Sequence, residues 1–262
     1  MNLSVVIIVC KSDAAGTLRT LQSLRLPGAE LVLYDTSKTS IAKDLAGGFN
    51  ARWVEGDWKG YEQVRYEASL VAANDWILML HTGEELDRHL RISLLGLNYG
   101  NKQVAYRIRF KSLFNRKWLC HGEWGGHYHI RLANRMTVSA EDQKISEALF
   151  RQQGITVQKL GGNILHRVLH DRPSLHGKLR RDARLAAIRY FRHGQHCTLL
   201  HLVISPLVAF FQNYLLKLGF LDGRQGYVCA RLGAWYTFAK YNLLRKMYQD
   251  LKSHPETAKY AK

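Results

Sequence analysis

Trp76-Ile77-Leu78-Met79-Leu80 is a short apolar run between Asp75 and the polar corner His81-Thr82-Gly83-Glu84-Glu85. A run of this length bounded by polar residues suits a strand buried on both faces of a parallel sheet. Ligands of open α/β sheets bind where such strands end. His81 to Glu85 therefore reads either as a plain turn or as the edge of a ligand crevice.

The residues before this run carry the same pattern. Leu3 to Val9 is uncharged and β-branched, a buried first strand. It has no basic stretch ahead of it and is too short for a signal sequence, so no leader is expected. Leu18, Leu21 and Leu24 mark one face of a helix over Thr17–Leu24, and Glu30–Tyr34 is a second strand ending at Asp35. A polar turn follows, and a helix restarts at Ile41. Strand, helix and strand at this spacing open a βαβ unit, hence an α/β fold. Asp35 is placed either to hold a ribose or base or to cap a turn. A short strand over 52–54 and a helix from Glu62 to Ala73 lead into the Trp76 strand. A helix over Leu86–Leu97 and a strand over Gln103–Phe110 follow.

His121-Gly122-Glu123-Trp124-Gly125-Gly126-His127-Tyr128-His129 packs three glycines and three histidines into nine residues. It reads as a loop that brings backbone close to a ligand. The histidine spacings match no standard zinc pattern. The strand resumes at Ile130-Arg131-Leu132. Cys10, Cys120, Cys197 and Cys229 are far apart, and no pair has metal-site or disulfide-framework spacing.

Beyond residue 150 the character changes. Residues 151–262 hold 19 Lys and Arg against 5 Asp and Glu, whereas residues 1–150 hold 19 against 16. This asymmetry points the C-terminal part at something anionic, a membrane surface or a nucleic acid. The chain shows no nucleic-acid recognition motif, so no specific nucleic-acid partner is expected. His176–His193 reads as a basic helix. Leu199–Phe211 is apolar, contains Pro206, and is shorter than the roughly 20 residues of a bilayer span. It suits a kinked helix in the membrane interface or one packed on the domain. Gly226–Tyr248 is a last amphipathic helix, and the tail from Ser253 is expected to fray. The boundary this implies is an α/β domain over 1–165 and a basic helical extension over 166–262.

Several segments resemble one family. They are the opening Leu3–Ile8, the stretch from Trp58-Lys59-Gly60-Tyr61 through Arg65 and Ala68 to Asp75–Leu78, and Gly122, Trp124, Tyr128 and Arg131-Leu132. The most specific is Leu216-Lys217-Leu218-Gly219-Phe220-Leu221-Asp222-Gly223-Arg224-Gln225-Gly226, similar to L-R-L-G-F-L-D-G-R-x-G. The chain resembles the small bacterial family 2 glycosyltransferases of lipopolysaccharide core assembly, the heptose β-1,4-glucosyltransferase group. The resemblance implies a GT-A, Rossmann-like, mostly parallel sheet flanked by helices. It implies an inverting transferase that takes sugar from a nucleotide-sugar, a UDP-hexose, to a lipid-linked saccharide. It places the chain on the cytoplasmic face of the cytoplasmic membrane.

The departures fall on the chemistry. The family pattern D-A-D-E stands here as His81-Thr82-Gly83-Glu84, so both metal-binding aspartates are absent. A divalent cation, Mg²⁺ or Mn²⁺, normally offsets the charge of a departing diphosphate. Here His81 and Glu84 are the residual candidates for a metal, and Lys11, Arg65 and Arg131 are candidates for a fixed positive charge in its place. Asp35, Arg65, His81, Glu84, Arg131 and Lys11 form the expected nucleotide-sugar set. The family's loop aspartate falls on His127 and its H-E pair on Ser146-Glu147. His127, an imidazole whose ordinary pKa is near 6.5, and Glu147 are the candidate bases for the acceptor hydroxyl. The lost aspartates also suit a non-catalytic, glycosyltransferase-like binding protein at the membrane.

Overall fold

The computed structural model describes residues 1–10, 13–38, 40–114, 117–137, 147–167 and 172–253. The chain divides into two compact units, Met1–Lys111 with His127–Arg167, and Ser112–Gly126 with Val168–Lys262.

The first unit is built on β1 (Leu3–Val9), with β2 (Glu30–Asp35) and β4 (Trp76–His81) parallel to it on either side, and β3 (Arg52–Glu55) parallel to β2. The order continues through β8 (Gly125–Asn134), β6 (Val104–Phe114), β9 (Thr156–Arg167) and β5 (Glu84–Leu86). β8 runs antiparallel to β4, and β5 antiparallel to β9. Every residue of β1 is buried, because alternate side chains enter two separate cores. Val5, Ile7 and Val9 pack with Leu21 and Leu24 beside helix α1 (Ala14–Ser23). Val6 and Ile8 pack with Val64 and Ala68 of α3 (Tyr61–Leu70). A helix α2 (Ser40–Gly48) links β2 to β3. Asp13 starts α1 by accepting from the Gly16 amide at 2.8 Å.

Two sequence expectations are corrected. The helix expected from Leu86 begins later, as α4 (Arg88–Leu95), capped by Asp87 at 2.7 Å from the Leu90 amide. Glu84–Leu86 is strand instead. Gly83, at φ +85°, reverses the chain so that Glu84 lies opposite His166 on β9. The loop expected over His121–His129 ends at Gly125, where β8 begins. His127, His129 and Arg131 consequently share one face of a strand. A short helix α5 (Glu147–Gln152) precedes β9, where Gly162 is required. A Cβ there would stand 2.1 Å from the Leu90 nitrogen, at a φ of +96°.

The second unit holds β7 (Lys117–Leu119), paired with Ser112–Phe114, and three long helices: α6 (Arg172–Arg192), α7 (Leu199–Phe211) and α8 (Arg224–Ser253). α7 continues as a π-helical turn over Gln212–Leu216, so the apolar helix is longer than its sequence suggests. Leu199–Leu216 makes 18 residues of mean hydropathy 1.6, long and apolar enough to cross a membrane by length and composition. α7 and α6 both pack along α8, and Leu199, Val203, Leu207 and Phe211 of α7 are exposed. The Gly219–Gly226 element is a clasp. The Asp222 carboxylate, 4% exposed, accepts from the Cys120 amide at 3.0 Å and the His121 amide at 2.8 Å. Its carbonyl accepts from Lys117 Nζ at 2.8 Å. Gly226 lets two backbones meet, since a Cβ there would sit 1.8 Å from the Gly219 oxygen.

Candidate active site

The carboxyl ends of β1, β2 and β4 lie side by side, and the polar corner after β4 is fastened to α1. Gly83 donates its amide to Thr20 Oγ1 at 3.0 Å, and Leu86 donates its amide to Ser23 Oγ at 3.0 Å. This corner delivers Glu84 into the sheet. The Glu84 carboxylate is 5% exposed. One oxygen accepts from Arg131 Nη2 at 2.7 Å, the other from the His81 amide at 2.9 Å. Burial pushes the Glu84 carboxyl above its ordinary range, opposed by Arg131, the His81 amide and Arg65.

Arg131 is 8% exposed, and only Nη2 of its three guanidinium nitrogens has a hydrogen-bond partner among the described residues. Its Cζ stands 4.9 Å from the centre of the Phe110 ring. Phe110 also stacks on His127 at 5.5 Å and meets His129 edge-on at 5.1 Å. His127 and His129 are 4.7 Å apart, ring to ring. Arg65 of α3 reaches toward the Ile130 carbonyl at 3.5 Å. Two guanidiniums thus bear on one spot, and they show in the imidazoles. Burial, then Arg131, Arg65 and His166, holds His81 down to about 2. The His129 residue is exposed, yet burial of its ring, with His127, Arg131 and Arg65, holds it down to about 4. Both rings are neutral at pH 7, in a region where extra positive charge is unwelcome and an anion is favoured.

The expected residues distribute unevenly. His81, Glu84, Arg131 and Arg65 come together, with His127 joined to them through Phe110. Asp35 sits apart at the end of β2, fully buried. It accepts from the Ser37 amide at 2.8 Å, the Ser37 hydroxyl at 2.6 Å and Trp53 Nε1 at 3.4 Å, which is the bonding of a turn cap. Lys11 lies outside the described residues, and Glu147 opens α5 with its side chain outside the described set. His129 and Phe110 were not expected. The signal was the i, i+2, i+4 spacing of His127, His129 and Arg131, legible only once this segment is a strand.

A divalent cation does not fit these residues. Both Glu84 oxygens are taken, one by a guanidinium that a cation would have to displace. Among the described residues no three His, Cys, Asp or Glu side chains gather around one point.

A crystal structure titled GalNAc-T7 with UDP, GalNAc and Mn²⁺ superposes with a TM-score of 0.51 at 14% identity, covering 71% of this chain and 50% of that one. The fold is that of a GT-A glycosyltransferase. In sequence, a Rickettsia bellii protein named uncharacterized glycosyltransferase is 28% identical over 105 residues, 39% of this chain and 36% of the relative. A Rickettsia felis protein of the same name is 27% identical over 105 residues, 39% of this chain and 37% of the relative. The chain thus matches little more than a third of the length of these relatives. No protein-family profile matches it.

Proposed function

We propose that this chain is an inverting glycosyltransferase that moves a hexose from a UDP-sugar to a lipid-linked saccharide, as in lipopolysaccharide or other envelope glycan assembly, on the cytoplasmic face of a membrane. The observation that carries the reading is the Arg131–Glu84 pair at the carboxyl end of β4 in a GT-A fold. A leaving diphosphate gathers negative charge as its bond to the sugar breaks. Preorganised donors in a water-poor site stabilise that charge strongly. Two buried N–H-bearing nitrogens of Arg131 have no partner among the described residues, and an unsatisfied buried donor costs on the order of 1–3 kcal/mol. A phosphate oxygen admitted at the strand ends would satisfy them. Glu84 holds the guanidinium in place, and Arg65 adds a second positive charge. The transfer then runs on fixed cations in place of a metal.

The acceptor hydroxyl attacks the anomeric carbon from the face opposite UDP, the bond to the diphosphate oxygen breaks, and the hydroxyl proton passes to His127. The Phe110 ring spaces His127 from Arg131, separating base from leaving-group cation. The exposed face of α7 and the basic α6 and α8 support attachment to an anionic membrane. Because α8 covers one side of α7, the helix pair suits the interface better than a span.

Calorimetry of UDP and UDP-hexoses with Mn²⁺, with Mg²⁺ and with EDTA tests the site. The expected result is binding that survives EDTA and falls at least 10-fold in Arg131→Lys, whose compact ammonium lacks the planar fork that holds Glu84 with one edge and offers donors to a phosphate with the others. Binding that requires metal, or no binding to any nucleotide, sinks the fixed-cation mechanism. The loss of both family aspartates favours a second reading, a non-catalytic binding protein. Nucleotide binding with neither transfer nor slow donor hydrolysis would select it.

A further inference from the structure

The second unit contains a cavity of about 400 Å³ that plays no part in the site described above. Its apolar wall is Phe114, Leu175 and Leu232, all buried, together with Trp235. Among the described residues its charged lining is Arg224 and Arg231, both exposed on α8, with the imidazole of His176 on α6 beside them. Among the described residues no acidic side chain lines it. The nearest carboxylate in sequence, Asp222, is turned away into the clasp with Cys120 and His121. Arg224 and Arg231 are seven residues apart, about two turns, and so project on the same side of the helix. His176 meets the Trp235 ring edge-on at 5.3 Å, which joins the basic lining to the aromatic wall.

Between the two arginines stands Tyr227. Arg231 Cζ is 5.9 Å from its ring centre. The same ring meets Phe210 at 5.8 Å and Tyr214 at 5.9 Å. Phe210 lies on α7 and Tyr214 on the π-turn that continues it, the helix whose Val203, Leu207 and Phe211 are exposed. The basic cavity is therefore continuous, through one tyrosine, with the exposed apolar surface of the unit. Tyrosine and tryptophan at such a junction are the side chains that sit at headgroup depth. A guanidinium pair recognises phosphate oxygens by charge-assisted bonds, strongest with a phosphomonoester of charge near −2; in phosphatidylcholine the phosphate carries a single charge, and the choline ammonium beside it is repelled by the two arginines.

We infer that this cavity receives the phosphate headgroup of a single anionic lipid, with Arg224 and Arg231 on the phosphate and the acyl chains lying along α7. Unit 2 then selects a lipid molecule, whereas a diffuse basic surface would read only charge density. This holds whether or not the chain transfers sugar. It predicts saturable, one-site binding of short-chain lipid below its micelle concentration.

The test titrates the full-length chain calorimetrically with dihexanoyl phosphatidic acid. Parallel titrations use dihexanoyl phosphatidylcholine and inorganic phosphate. Variants are Arg224→Gln/Arg231→Gln and, as a charge-matched control on exposed positions of α6, Arg180→Gln/Arg184→Gln. Far-ultraviolet circular dichroism confirms the fold of each. The expected result is saturable binding of the phosphatidic acid, at least 10-fold weaker binding of phosphatidylcholine and of free phosphate, and at least a 10-fold loss in the cavity variant against less than 2-fold in the control. Equal binding of free phosphate would reduce the cavity to a simple anion site. Equal binding of phosphatidylcholine, or equal losses in cavity and control variants, would also overturn the inference, as would no saturable binding.

Discussion

Replacing Arg131 with methionine removes the guanidinium and keeps most of the volume. The Glu84 carboxylate is then buried with one oxygen still on the His81 amide and the other without its cation. Breaking a buried pair from one side costs about 3–5 kcal/mol. For a chain of this size that lowers Tm by on the order of 10 °C. The cost should depend on pH. Without Arg131 the buried carboxyl rises further above its unfolded value near 4.3. Between those two values the folded state holds a proton that the unfolded state has released, so variant stability falls as pH rises. Wild-type Glu84 is itself raised, so the gap between wild type and Arg131→Met should widen over the pH range in which the variant's carboxyl is protonated and the wild type's is not, by up to about 1.4 kcal/mol per pH unit. His81 titrates in both proteins, so most of its contribution cancels in the difference. Urea unfolding at pH 5, 6 and 7 measures the gap, with Glu84→Gln/Arg131→Met as a neutral pair expected to recover most of the loss. A gap below about 1 kcal/mol, or one flat across pH with no recovery in the double variant, would refute the buried-pair reasoning.

Wild-type stability should itself decline in acid. His81 is held at about 2 when folded and titrates near 6.5 when unfolded, so its contribution is complete above pH 6.5 and is lost as pH falls toward 2. The His81 contribution to the slope is about 1.4 kcal/mol per pH unit below 6, read as the difference in urea melts between wild type and His81→Gln. Asp222→Ala removes the acceptor for the Cys120 and His121 amides and should cost the second unit about 3 kcal/mol. Limited proteolysis should then cut within Lys117–Gly126 well before it does in wild type; an unchanged cleavage pattern would argue against the clasp.

Leu3–Val9 and Trp76–Leu80 are legible as buried strands because a parallel sheet covered on both faces leaves continuous apolar runs. Asp35 is legible as the end of a strand, but that its carboxylate accepts from Ser37 and Trp53 shows only in their placement. His121–His129 misleads because glycine-rich composition argues for a loop, while pairing in the sheet makes its second half a strand. That override turns three scattered side chains, His127, His129 and Arg131, into one face.

The most specific segment of resemblance, Leu216–Gly226, is a clasp that holds a hairpin. Glycines and an aspartate in fixed order serve close backbone contact as readily as they serve chemistry. By itself the sequence determined the α/β class, the strand ends where a site would lie and the basic character of residues 151–262. All of these follow from local pattern and composition. Tertiary structure alone decided that Glu84 belongs to Arg131, 47 residues away, and that Arg224 and Arg231 share a cavity with Trp235. Partners so distant in the chain, or placed by the packing of α6 on α8, leave no periodic trace, because sequence patterning records which face a residue occupies and not what stands opposite it.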